Sequence, residues 1–322
     1  VFTSGDEQSS LLALWRFVHG LDIYTDRHSE PFANIGYNWL YYQAYGAVAG
    51  AMQALFGLED AWLPTLGRWV TLVGATVGGV AAYGAFRHVT RGSDRLLPAA
   101  LAVFVAAGPL VGFWAITVRP DLWASVWEVI GAALFLHLYP GRRGPAVMAA
   151  VVCAYLAWTF KQSSVFLAGG VGLSLLARRD WAAIAGLVGG LGVLWAATLI
   201  LGSEQYRQNI LFTDFPLTFT VDRLSRNLGN FAVKSGPSLF AAAVFIAAVA
   251  ASGDLRRALW RNDAALFAVA GCLAAALSIP ASAQTGASES YYFSLSFFLA
   301  LLALAGMEIL IADGGRAAGA AG

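Results

Sequence analysis

An Asp-Glu pair, Asp6 and Glu7, stands just before an apolar helical stripe made by Leu11, Leu12, Leu14, Trp15 and Val18. Adjacent carboxylates can take a proton from a hydroxyl nucleophile, and oxygen ligands suit Mg or Mn, for which Asp6, Glu7, His28 and Glu30 form a possible set. Asp22 and Asp26 lie close to that set in the chain. Farther on, Arg119 and Asp121 flank Pro120, and Lys161 and Gln162 share a second tight turn. The stretch 203–236 adds Glu204, Arg207, Arg223, Arg226 and Lys234. Phosphate is the natural partner for such cations, because Arg offers a bidentate fork and Lys a point charge. Pairing of Arg119 with Asp121, and of Lys161 with another carboxylate, would explain the same residues without a ligand. Glu128 follows Asp121 by about two helical turns on the same face. It reads either as an interhelical hydrogen bond or as part of a polar cavity or proton path.

Other chemistries find no support. His19, His28, His88 and His137 show no metal-ligand spacing. The glycines of 73–84 and 186–192 lie inside apolar runs, where they serve helix packing, and no phosphate-cradling pattern is present. No Ser/His/Asp triad can be placed. Cys153 and Cys272 read as small packing residues in apolar runs. A net charge of +1 creates no global field toward nucleic acid.

The elements that must position the polar residues are membrane helices. Of the 322 residues, 58% are hydrophobic and only 12% charged, against about 25% charged in a soluble domain. The runs 97–118 and 181–202 carry no charge, and each exceeds the roughly 18 residues that mark a membrane span. A soluble enzyme, collagen, a disulfide scaffold and a disordered tail are excluded. The expected fold is all-α, a polytopic transmembrane helical bundle with spans at 64–86, 96–117, 122–139, 144–160, 163–177, 181–202, 237–252, 263–281 and 292–312.

The connecting loops alternate. Those at 87–95, 140–144, 177–180 and 253–263, with Arg316, hold 11 of the 20 Lys and Arg. Positive residues near span ends stay cytoplasmic, so the other loops, which carry Asp121, Lys161 and 203–236, face outward. Arg119 and Lys161 run against that bias. Residues 1–63 then form an extracytoplasmic segment with two interfacial amphipathic helices, 8–20 and 37–58. Were 37–58 a span instead, residues 1–36 would be cytoplasmic. Residues 64–202 make a six-span bundle, 203–236 an extracytoplasmic loop and 237–322 the last three spans. The chain begins with Val and shows no signal peptide, so a further membrane helix is expected before Val1.

In these residues the chain resembles the GT-C polytopic glycosyltransferases, especially the bacterial branch near the protein O-mannosyltransferases and the aminoarabinose transferase of lipid A. The resemblance matches Asp6 and Glu7 to the family's Asp-Glu pair after the first membrane helix. Tyr37, Leu40, Tyr41 and Tyr42 match its Tyr-rich approach to an interfacial helix, with Trp39 where proline is usual. Arg68, Asp121 in VRPDLWA and Lys161 with Gln162 in TFKQSS match further points, and 285–303 resembles a late family helix with Ser290 replacing Asn.

The resemblance implies transfer of a sugar from a polyprenyl-phosphate donor to a hydroxyl acceptor, on a glycan, lipid or protein, at the outer face of the bacterial inner membrane. Asp6, with Glu7, is then the expected base. Arg119 and Lys161 would hold the donor phosphate, joined by Arg207 and Lys234, while Asp121, Gln162, Tyr37, Asn38 and Glu30 line the substrate. A divalent cation is an option that only some members use. The competing reading is a transporter or lipid flippase, favoured only by Glu128. No inverted repeat supports it.

Overall fold

The structure, a computed structural model, describes residues 7–26, 35–90, 95–211, 218–284 and 286–320, the side chains up to 312. It is a helical bundle, as expected. In chain order the helices are α1 (Glu7–Val18), α2 (Trp39–Phe56), α3 (Leu63–Val89), α4 (Leu96–Ala107), α5 (Asp121–Leu138), α6 (Arg143–Phe160), α7 (Phe166–Ala177), α8 (Trp181–Leu201), α9 (Glu204–Leu211), α10 (Val221–Lys234), α11 (Gly236–Ala251), α12 (Gly253–Arg261), α13 (Asp263–Ala275), α14 (Ser278–Ala281) and α15 (Phe293–Ala320). Among the described residues the only β pairing is one isolated bridge, Phe219 with Gln284.

Each expected span contains a helix. Six helical stretches are long and apolar enough to cross a membrane: 60–89, 121–138, 143–160, 181–201, 263–281 and 289–312. The chain is thus a multi-pass membrane protein. The 96–117 run departs from expectation, because α4 ends at Ala107 after 12 residues. Pro109 is the reason. It disfavours helical geometry in the residue before it, and Gly108 is extended at φ −71, ψ −173. The chain then makes turns and a short 3-10 segment at Trp114–Ile116 before reaching Asp121. Likewise α7 has only 12 residues. Both short helices leave their missing length at the Asp121 end of the bundle.

Helix α5 is central, packed between α3 and α6, while α13 lies between α7 and α15. By contrast α8 leans mainly on α6 and α7, and only 11% of its most apolar stretch is buried. The stretch 203–236, expected as a loop, folds largely as α9 and α10. Helix α10 meets α11 at 85°.

Helices α1 and α2 pack as a pair. Gly46 and Gly50, four residues apart, let the helices approach closely; a Cβ at Gly46 would lie 2.3 Å from the Phe17 ring and one at Gly50 3.7 Å from Val18. Asn38 caps α2, and Gly57 ends it in the left-handed conformation at φ 63. The 18-residue α2 is not among the helices apolar enough to span.

Candidate active site

The turn at 117–121 is held from below by hydroxyls. Tyr41 donates to the Val118 carbonyl at 2.8 Å, and Thr71 to that of Thr117 at 2.8 Å. The Tyr45 hydroxyl lies 2.9 Å from Thr71 Oγ1 and 3.4 Å from the Arg119 carbonyl. Burial lifts the Tyr41 and Tyr45 phenols well above their ordinary range, so both remain protonated donors.

Fixed in this way, Arg119 turns to Asp121. Its Nε lies 3.0 Å from Asp121 Oδ2, and its terminal nitrogen donates to the Tyr37 hydroxyl at 2.9 Å. The guanidinium also lies 5.0 Å from the centre of the Trp114 ring. From the end of α6, Lys161 brings Nζ within 2.6 Å of Asp121 Oδ1, and the Ser290 hydroxyl donates to that oxygen at 2.6 Å. Lys161 also lies over the Tyr291 ring. Arg119, Asp121 and Lys161 are all buried, at 6%, 4% and 7% exposure. Two buried cations thus converge on one carboxylate, in a low-dielectric setting where each charge interaction is strong. The pairing of Arg119 with Asp121 and the convergence of both cations are therefore present together.

Glu7, fully buried at the start of α1, accepts from the Val118 amide at 3.0 Å and from Arg68 at 3.2 and 3.4 Å. It ties α1 to α3 and to the 117–121 turn. Lys234 pairs with Glu289, which also accepts from the Trp114 indole at 3.3 Å. Because Glu289 precedes Ser290, Lys234 joins the same cluster. Gln162 donates to the Gly36 carbonyl at 2.7 Å, and its Oε1 is buried with no hydrogen-bond partner among the described residues.

Two expected binding residues have structural partners. Asn38 is fully buried; its oxygen accepts from Trp39 N and from the Tyr206 hydroxyl, while its amide donates to the Trp158 carbonyl. Arg207 donates to the Leu199 and Gly202 carbonyls at 3.3 and 2.7 Å, capping the end of α8. Asp6, His28 and Glu30 lie outside the described residues. Among the described residues no three His, Cys, Asp or Glu side chains assemble to hold a metal.

Sequence reasoning missed Glu289, Tyr291 and Trp114. The signal available for Glu289 was a carboxylate at the threshold of an apolar span, where charge is expensive. Glu128, also buried, accepts at Oε1 from the Phe166 amide at 2.9 Å and the Leu167 amide at 3.4 Å, and at Oε2 from Ser294. It satisfies the free amides at the start of α7. The interhelical hydrogen-bond reading thus describes it.

This bundle, with a charged cluster gathered at one end, has the fold of the GT-C membrane glycosyltransferases, as the sequence resemblance implied. Among solved structures it is similar to ArnT from Cupriavidus metallidurans bound to undecaprenyl phosphate, with a TM-score of 0.59 and 16% identity over 95% of this chain and 56% of that one. The apo ArnT structure gives 0.60 and 15%, over 96% and 56%. The apo Archaeoglobus fulgidus oligosaccharyltransferase gives 0.57 and 13%, over 93% and 46%. At these identities the likeness is one of fold, and the chain spans just over half the length of ArnT. No protein-family model and no curated protein matches the sequence.

Proposed function

We propose that this protein is a membrane glycosyltransferase that moves a sugar from a polyprenyl-phosphate donor to a hydroxyl acceptor at the extracytoplasmic face of the bacterial plasma membrane. The observation that carries this reading is the convergence of Arg119 and Lys161 on the single buried carboxylate of Asp121. A fold shared with an undecaprenyl-phosphate-bound transferase supports the same donor chemistry.

In this mechanism the donor phosphate binds between Arg119 and Lys161, with Asp121 setting their positions and Tyr37 orienting the guanidinium. The acceptor oxygen attacks the anomeric carbon and its proton passes to Asp6. The carbon–oxygen bond to phosphate breaks, and the phosphate leaves with the electron pair. The two cations stabilise the charge that grows on the departing phosphate, so no general acid is required there. Single displacement inverts the anomeric centre. Glu7, held by Val118 and Arg68, fixes the start of α1.

The test follows consumption of labelled polyprenyl-phosphate hexoses and pentoses by the protein in lipid nanodiscs with an envelope acceptor fraction. Wild type should consume a donor and Asp6→Asn should not. A folded wild-type protein that consumes none would overturn the proposal.

A further inference from the structure

At the end of α6 opposite Lys161 the surface has a different character. Helix α6 begins at Arg143 and runs 18 residues to Phe160, about 27 Å at 1.5 Å per residue. Near its start, a cavity of about 420 Å³ lies between α6 and α8. Gly144, Val147, Met148, Val151, Gly186 and Gly190 line its apolar part, and Arg143 and Asp180 its mouth.

Arg143 stands at the mouth, and Arg142, Arg178 and Arg179 occupy the turns that lead into α6 and α8. Arg143 is 75% exposed at its side chain and only 3.9 Å from Asp180, a loose pair. Asp180 is already committed: it accepts from the Tyr139 hydroxyl at 2.8 Å and from the Ala183 amide at 3.3 Å, capping α8. The adjacent Arg142 and Arg179 are exposed and make no ion pair among the described residues. Arg178 pairs with Asp263 at 2.7 Å. These two turns thus carry four arginines against Asp180 and the Asp263 that Arg178 engages. Arg179 also holds a left-handed backbone, φ 56, the only such non-glycine among the described residues. The tight α7–α8 turn therefore keeps an arginine where glycine fits more easily.

We propose that this groove binds one anionic phospholipid, with an acyl chain along the glycine-lined wall and its phosphate at Arg143, flanked by Arg142 and Arg179. Basic pockets between membrane helices at the cytoplasmic level recognise such headgroups. A second copy of this chain is a poor occupant, because a two-fold contact here would bring like-charged arginine clusters together. The site is separate from the Asp121 cluster and stands independently of the transferase reading.

The experiment uses the delipidated full chain and native mass spectrometry. Phosphatidylglycerol and phosphatidylcholine with identical acyl chains are titrated, with inorganic phosphate as competitor. One phosphatidylglycerol should be retained per chain, and millimolar phosphate should not displace it. Replacing Arg142, Arg143 and Arg179 by Gln should weaken that lipid by at least about tenfold, toward the phosphatidylcholine value. Gly144→Leu adds a side chain to the apolar wall, where a Cβ meets nothing within 4 Å, and should abolish retention of either lipid. Gly189→Leu, equally open but outside the groove, is the control and should bind as wild type. Equal retention of both lipids, displacement by free phosphate, indifference to Gly144→Leu, or a dimer that Gly144→Leu dissociates would each overturn the proposal.

Discussion

Lys161 Nζ lies 2.6 Å from Asp121 Oδ1, although 40 residues separate the two in the chain. Helices α5 and α6 run antiparallel through the bundle and bring the start of one beside the end of the other. Lys161, just past the end of α6, closes that pair, while Arg119 and Ser290 approach the same carboxylate from other segments.

Asp121→Asn removes the charged carboxylate on which Arg119 and Lys161 converge. Removing one partner of a buried pair costs about 3–5 kcal/mol, so thermal unfolding in detergent should shift clearly downward. Donor consumption should fall to background. An unshifted unfolding temperature would show that the cations are solvated.

Arg119→Lys keeps the charge but loses the fork shared between Asp121 and Tyr37. Loss of one well-placed donor to developing charge lowers turnover by about 10²–10³-fold. The expected outcome is a turnover loss of that order with an unfolding temperature near wild type, read from steady-state donor consumption beside calorimetry.

Glu128→Gln retains an acceptor for the α7 amides, so turnover should stay within about twofold and stability fall by about 1 kcal/mol. Glu128→Leu leaves those amides unpaired and should cost about 2–3 kcal/mol. A transporter using Glu128 as a proton carrier would lose function in both variants. Proteoliposome uptake and denaturant unfolding, measured together, separate the two cases.

Gly46→Leu places a side chain where Phe17 now packs, with the first added atom 2.3 Å from the ring. The α1–α2 pair must separate, carrying Glu7 away from Val118 and Arg68. Activity should vanish while the bundle stays folded. Limited proteolysis should cut within α1 in the variant and not in wild type.

Much of the architecture was legible because membrane burial writes itself into long uncharged runs. All nine apolar stretches contain a helix, and Arg119, Asp121, Lys161, Lys234 and Glu289 gather at one end. The Gly108–Pro109 break was also present as a signal, but the surrounding run of 22 uncharged residues masked it. The partners of buried polar groups were harder to read, since they depend on which helix ends meet. Arg207 faces the end of its own preceding helix, and Asn38 reaches Trp158 across 120 residues. Glu128 belongs with α7 because a carboxylate below a helix start satisfies amides that no local spacing reveals.

The brevity of α4 and α7 shapes the membrane itself. Twelve residues of helix cover only about 18 Å, against roughly 30 Å of hydrocarbon. Both shortfalls fall at the Asp121 end, where non-helical chain takes over, and a bilayer that thins there would bring its surface toward the cluster. A lipid-linked substrate could then reach the cations by drifting sideways, its tail never leaving oil. A water-soluble substrate would have to descend into the basin. If the proposed transfer holds, such thinning would sort the two reactants, and bilayers of different acyl length should tune how readily they meet.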